Sequence, residues 1–197
     1  MRPIEKHFFE RDCRVCAREL IGSVFYRGET SGRVVETEAY SEINDEACHT
    51  FFRPSARQFV EENDAGTAYV YMNYGRYWLT NVLCVDRVSG ERGFVLLRAL
   101  EPLEGIEIMK RRRNMERPTD LCSGPGKLSM AMGIGKSDHG TSLISSQEHG
   151  FHFEEPETKR RVVADRRVGI SKAKEFKWRF LEPGNPHVSV PFGKVKP

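Results

Sequence analysis

The chain reads as an α+β protein, a single domain over residues 1–197 with a curved antiparallel β-sheet, flanking helices and a protruding β-hairpin. Three observations lead there. Runs rich in β-branched and aromatic residues come in pairs joined by short turns, 22–27 with 33–40 and 69–73 with 77–84. Helical spacing is confined to a few separate stretches, 12–21, 102–113 and 121–132. Strands and helices do not alternate regularly, which argues against a parallel sheet.

The elements follow in order. Asp12 is a natural N-cap for a helix over 12–21, ended by Gly22. Residues 22–27 form a strand, and 28–32 (Gly-Glu-Thr-Ser-Gly) turn it back into the strand 33–40. Residues 41–66 are polar and irregular, a loop long enough to carry function. Residues 69–73 and 77–84 pair through the tip Tyr74-Gly75-Arg76, and 94–100 is a further strand with Arg98 near its end. Helices are expected over 102–113 and 121–132, the second opened by Ser123-Gly124-Pro125-Gly126. Short strands are expected within 141–154 and 160–170, with a last one at Val188-Ser189-Val190.

The strand 33–40 carries the most information. Residues two apart share a face, so Glu36, Glu38 and Tyr40 line one side and Val35, Thr37 and Ala39 the core side. Two carboxylates and a ring on one face are costly to bury. That face is either a solvated edge or an active site.

Composition bounds the remaining possibilities. With 197 residues, 39% hydrophobic and 30% charged, the chain is long enough to bury a real core. No apolar run approaches the roughly 20 residues of a membrane helix, and the first residues lack the apolar centre of a signal peptide. A cytoplasmic, nucleoid-associated protein is expected, or a nuclear one in a cell with a nucleus. Net charge is only +3, but basic residues cluster at 110–113, 159–161 and 166–167. These are either solvated helix faces or a basic face for phosphates. The five cysteines are irregularly spaced, unlike a disulfide framework. Cys13 and Cys16 form a CxxC, but zinc needs two more ligands and no second pair follows. They read as small core residues of the first helix.

Several groups suited to a flat, electron-poor ligand fall near strand ends: Glu38, Tyr40, His49, Tyr71, Asn81 and Arg98. Each has a plain structural alternative when read singly. Glu38 fits a surface ion pair, His49 a structural histidine, Tyr71 and Tyr77 amphipathic sheet positions, and Arg98 a buried ion pair. Tyr74 is unusual at a turn tip, where Gly, Asn, Asp and Ser prevail. It either packs onto its neighbours or stands out as a wedge for a base stack.

Taken together, residues 34–40 (VVETEAY), 44–49 (NDEACH), 69–75 (YVYMNYG), 95–102 (VLLRALEP) and 121–128 (LCSGPGKL) resemble the alkyladenine (3-methyladenine) DNA glycosylase family. Val168-Gly169-Ile170 and Gly184-Asn185-Pro186 continue the likeness, which covers nearly the whole chain in order. The resemblance implies a monofunctional enzyme of base excision repair acting on double-stranded DNA with damaged purines. Glu38 would activate the attacking water, with Arg98 and the Val168 carbonyl holding it. Tyr40 and His49 would sandwich the flipped base with Tyr71 on its other side, and Asn81 would reject guanine, with Leu96 also in the pocket. Tyr74 would fill the gap in the duplex. Arg76, Tyr77, Lys127 and Lys136 would touch the DNA backbone. Glu36 would be neutralised by a structural arginine. No cofactor, metal or membrane is implied, a monomer is expected, and an abasic-site endonuclease would act downstream.

Three departures stand out. Arg76 replaces a usually apolar residue. Residues 50–67 lack the familiar Arg-Gln-Thr-x-Arg-Asn run and offer Arg53, Arg57 and Gln58, and Phe51 and Phe52 in the same stretch are expected to reshape the pocket mouth. Two other readings remain: a damage-binding protein without catalysis, which the intact Glu38 and Arg98 argue against, and a hydrolase of free nucleosides, which needs no Tyr74.

Overall fold

A computed structural model describes residues 2–144 and 150–195. The sheet is antiparallel throughout. Its strands are β1 (Val24–Arg27), β2 (Thr30–Ser41), β3 (Ala68–Asn73), β4 (Tyr77–Val85), β5 (Arg92–Glu104), β6 (Phe151–Glu154), β7 (Val163–Asp165) and β8 (Arg179–Leu181). They lie in the order β3-β4-β5-β2-β1-β6, with β8 also beside β2 and β7 beside β8. The long β2 is the spine. One edge pairs with β5; the other pairs with β1 at Thr30–Arg33 and with β8 at Glu36–Glu38. Changing partners along one strand curls the sheet and leaves a concave face.

Several helices cover the convex face. In α2 (Cys13–Glu19) the Asp12 side chain accepts from Arg14 N–H, 2.7 Å away, as the N-cap pattern requires. Cys13, Cys16 and Ala17 are buried, and Thr37 Oγ1 donates to the Ala17 carbonyl (2.7 Å), docking the helix on β2. The CxxC thiols sit in this core, Cys16 donating to the Phe8 carbonyl and Cys13 to that of Tyr40. Beyond the sheet, α5 (Ile106–Arg113) packs on α7 (Pro125–Met132), with α6 (Pro118–Leu121) between them in sequence.

Several expectations need correcting. The stretch 41–66 is not irregular: it holds α3 (His49–Phe52) and α4 (Pro54–Glu62). Pro54 opens α4, a position where its missing N–H costs nothing. The helix expected from residue 102 starts at Ile106, because β5 continues to Glu104 with Pro102 opposite Gly32. The helix expected over 121–132 breaks at Cys122 and resumes at Pro125. Within 141–154 only Phe151–Glu154 is strand among the described residues, and 145–149 lie outside them. Residues 188–190 form no strand. The short α1 (Lys6–Phe9) and β8 carried too little periodicity to be seen in advance.

Part of each basic run is absorbed by the fold, while Arg111, Lys159, Arg161 and Arg166 are exposed. Arg112 donates to the Ala131 carbonyl, Arg113 to the Leu121 carbonyl, and Lys110 pairs with Glu107 and Glu116. Arg167 is buried against Asp45, at 2.6 and 2.7 Å.

A pair of β-bulges sets the concave face. Val34 pairs with Leu100 and Glu36 with Ala99, so Val35 is an extra residue on β2. Thr37 then pairs with Leu97, so Arg98 is an extra residue on β5. The second irregularity restores the register lost at the first. The core side of β2 is therefore Val34, Thr37 and Ala39, and Val35 is the bulge rather than a member of that row. Bulges re-aim side chains beside functional sites, and here the re-aimed residue is Arg98.

Behind Arg98, the fully buried Arg179 donates to Glu36 Oε1 (2.8 Å) and Asp165 Oδ2 (2.6 Å), and Ser189 N–H donates to Glu36 Oε2 (2.6 Å). Removing one partner of a buried ion pair strands the other. Arg179→Ala is expected to cost about 3–5 kcal/mol, read as a lowered urea midpoint. Arg2→Ala opens only an exposed pair with Glu155 and is expected to leave the midpoint in place.

Candidate active site

Strand register assembles the site. Tyr69 on β3 pairs with Asn81 on β4, Asn81 with Leu96 on β5, and Leu96 with Glu38 on β2. Paired residues share a face, so these four form one row across the concave side. Tyr40 and Phe94 form the adjacent row, continued by Leu83.

A cavity of about 860 Å³ opens on these rows. Its lining includes the expected Tyr40, His49, Tyr71, Tyr74, Asn81, Leu96, Arg98 and Val168. Tyr69, Phe94 and Leu79 also line it, as does the lip formed by Phe51, Phe52 and Arg53. The volume is in the range of small-molecule sites.

Glu38 is fully buried, directly behind Tyr40, Arg98 and Val168 of the cavity lining. Its carboxylate accepts from Val168 N–H (2.7 Å), the Tyr40 hydroxyl (2.7 Å) and Arg98 Nη1 (3.4 Å). Arg98 Nη1 also donates to the Val168 carbonyl at 3.4 Å, which brings that carbonyl beside the carboxylate. Burial, then the Glu38 charge, hold the Tyr40 phenol well above its usual pKa, so it stays a donor. Glu36 does have a structural arginine, Arg179, and also lies 3.3 Å from Arg98 Nε.

Val168 is positioned from behind. The next residue back, Arg167, clamps Asp45 through both Nη atoms, donates to the Ala39 carbonyl and stacks its guanidinium 4.6 Å from the Tyr40 ring centre. Asp45 also accepts from Ser41 and Ala47 N–H, shaping the turn that leads to His49. Sequence reasoning assigned Arg167 to a surface cluster and missed this. Its neighbour Val168 was the only available signal.

The aromatic wall is built by contacts among its own rings. His49 lies edge-on to Tyr71, ring centres 4.3 Å apart, and its Nδ1 is 3.1 Å from the Tyr69 hydroxyl. The histidine thus groups with Tyr71, not with Tyr40. Burial, aided by Arg53, lowers the His49 pKa to about 4, so its ring is neutral at pH 7. Asn81 Nδ2 donates to the Tyr69 carbonyl (3.1 Å), which fixes its amide against the wall.

Tyr74 stands at the tip of the β3–β4 hairpin, 89% exposed. Both Tyr74 and Gly75 have positive φ, and Arg76 N–H donates to the Asn73 carbonyl (3.0 Å). Glycine enters that backbone region freely, whereas a bulky residue there is strained. The tyrosine does not pack down on its neighbours; the turn holds it outward. Arg76, Tyr77, Lys127 and Lys136 are exposed. Tyr77 packs so closely on Gly126 that a Cβ there would lie 2.8 Å from its own Cβ. That contact brings the start of α7, with Lys127, to the root of the hairpin. The loop departures resolve unevenly. Arg57 Nη1 donates to the Thr50 carbonyl (2.9 Å) and Gln58 to Glu62, so both serve the fold.

An aromatic cavity thus lies against a buried carboxylate, beside a hairpin that holds one tyrosine in solvent. Comparison with known proteins shows the family. The sequence model described as "Methylpurine-DNA glycosylase (MPG)" matches residues 7–186. A Rhodopseudomonas palustris protein is 39% identical over 189 residues, spanning 96% of this chain and 89% of its own. A Nitrosospira multiformis protein is 41% identical over 176 residues, 89% and 88% of the two chains. A Chlorobium luteolum protein is 38% identical over 194 residues, 96% and 97%. All three carry the name "Putative 3-methyladenine DNA glycosylase". The chain belongs to the methylpurine-DNA glycosylase family. No helix among the described residues is long and apolar enough to cross a membrane.

The depressed His49 pKa has a consequence for stability. An unfolded histidine titrates near 6.5, the folded one near 4. As pH falls through that window the unfolded chain takes up a proton that the folded site refuses, so His49 costs stability progressively. The drop in urea midpoint between pH 7 and pH 5 is expected to be smaller in His49→Gln than in the wild type.

Proposed function

We propose that residues 1–197 act as one monofunctional DNA glycosylase domain that flips alkylated or deaminated purines out of duplex DNA and hydrolyses the N-glycosidic bond with a Glu38-activated water. Candidate bases are 3-methyladenine, 7-methylguanine, hypoxanthine and ethenoadenine. The observation that carries the reading is the buried carboxylate bonded to three residues of the cavity lining. Glu38 is held by Tyr40, Arg98 and Val168 N–H, and a water entering between Arg98 and Val168 would meet both the carboxylate and the Val168 carbonyl.

The chemistry fits those groups. Glycosidic cleavage passes through an oxocarbenium-like state, which the negative Glu38 stabilises while it takes a proton from the attacking water. The water's oxygen bonds to the sugar's anomeric carbon and the base leaves with the glycosidic electron pair, giving an abasic site. That product suits a downstream abasic-site endonuclease. No lysine sits at a nucleophile position in these motifs, so no strand-cleaving lyase step is proposed.

The walls suit a cationic alkylated purine. Tyr40 on one side and the Tyr71–His49 pair on the other offer aromatic faces and cation–π attraction. A neutral His49 adds no opposing charge. Asn81 would discriminate at the base edge, and Leu96 would supply apolar contact beneath it. Tyr74 would refill the stack vacated by the base, since flipping costs a few kcal/mol of stacking and pairing. Arg76, Tyr77, Lys127 and Lys136 would grip phosphates around the hairpin. A hydrolase of free nucleosides has no use for a strained, solvent-facing Tyr74, and a pure damage binder has none for the Glu38 constellation. The protein is proposed to act as a monomer on the DNA of the cytoplasm, or of the nucleus where there is one.

Single-turnover base release from duplexes carrying hypoxanthine or an alkylated purine tests the reading. Glu38→Gln is expected to slow release by on the order of 10²–10⁴-fold while retaining lesion binding. Release at the wild-type rate by that variant would overturn the role of Glu38. Absence of release by the wild type, with binding intact, would favour the damage binder. Tyr74→Ala is expected to weaken lesion-duplex binding roughly tenfold, the scale of one aromatic–base stack, in a filter or anisotropy titration.

A further inference from the structure

The cavity mouth carries a second aromatic feature. Phe51 and Phe52, adjacent on α3, are 56% and 53% exposed. The helix beneath them is firmly set. Thr50 is buried, Arg53 N–H donates to the His49 carbonyl (2.7 Å), and Arg57 Nη1 donates to the Thr50 carbonyl (2.9 Å). The following helix buries Ala56, Phe59 and Val60 in the same aromatic cluster as Tyr69 and Phe94 of the cavity wall. Two large rings are thus presented to solvent on a rigid support.

Their placement says what they meet. Both line the cavity, as does Tyr74 of the hairpin. Phe52 touches His49 edge-on, ring centres 5.4 Å apart, and the Arg53 guanidinium lies 5.6 Å from the ring centres of both Phe52 and Tyr71. A flipped base held at His49 and Tyr71 would stay joined to its strand, which would bring its neighbours on that strand toward this lip. Their π-faces are the chemistry that exposed phenylalanines accept, and Arg53 supplies positive charge for the linking phosphate.

We propose that Phe51 and Phe52 form a second stacking platform, which receives a nucleobase flanking the lesion on the damaged strand while Tyr74 occupies the vacated site. This rests on the glycosylase reading above and adds positioning residues to it.

The test uses a duplex with 2-aminopurine beside a non-hydrolysable abasic analogue, with the whole chain as wild type, Phe51→Ala/Phe52→Ala and Phe51→Trp/Phe52→Trp. The alanine pair is expected to bind roughly tenfold more weakly and to leave 2-aminopurine brighter than the wild type does. The tryptophan pair is expected to restore both. Circular dichroism and melting compare the folds, since both changed side chains are largely exposed. If the wild type releases damaged bases and the alanine pair matches it in affinity and fluorescence, this inference falls alone. Weaker binding with unchanged 2-aminopurine emission also overturns it, because the contact is then not a stack. A wild type that neither binds lesion duplex nor releases a base overturns the glycosylase reading and this inference together.

Discussion

Two carboxylates two residues apart on one buried strand face impose the central constraint. Glu36 and Glu38 are both fully buried, and such charges persist only when paired and hydrogen-bonded. The fold answers with unequal neighbours. Glu36 faces Arg179 and Ser189 and is filled with structural bonds. Glu38 receives Tyr40, Arg98 and a backbone N–H, all of which but the amide come from residues whose side chains line the cavity. Division of labour between like groups follows from their partners. Much else depends on this, since β8, the turn near Val168 and the segment ending at Ser189 all bring donors to the pair.

The paired bulges are the backbone counterpart of that arrangement. Regular β2–β5 pairing could not put both Val34 and Thr37 on the core side, three residues apart, while aiming Arg98 at both carboxylates. An extra residue at Val35 changes the phase of one strand, and an extra Arg98 changes the other. The aromatic wall relies on the regular pairing that resumes beyond them, which sets Tyr69, Asn81, Leu96 and Glu38 in one row.

Much of this was legible in the chain, for identifiable reasons. The period-two pattern around Glu36, Glu38 and Tyr40 gave their common face, and the turn residues around Gly28 and Gly75 gave both hairpins. Phase changes were not visible, because a bulge leaves no compositional trace; Val35 therefore looked like a core residue. Residues 41–66 were hidden by polarity, since α3 is a single turn and the exposed face of α4 is polar, with Ser55, Arg57, Gln58, Glu61 and Glu62. Arg167 was read as part of a basic cluster and Arg179 was not singled out, because what makes them internal is acidic partners more than 100 residues away, Asp45 and Glu36. His49 was picked out by its neighbourhood, but its grouping with Tyr71 depends on a helix the sequence did not announce.

The cancelling bulges also bear on how this protein can change over time. Either strand alone, shortened by one residue at Val35 or at Arg98, would carry a register error through the rest of the sheet and turn the cavity row toward the helices. Side chains along the row can vary one at a time, altering which bases fit. The lengths of the two strands cannot vary independently. Diversification at this site is thus channelled into chemistry rather than spacing, because the irregularities at Val35 and Arg98 offset one another beside the cavity row.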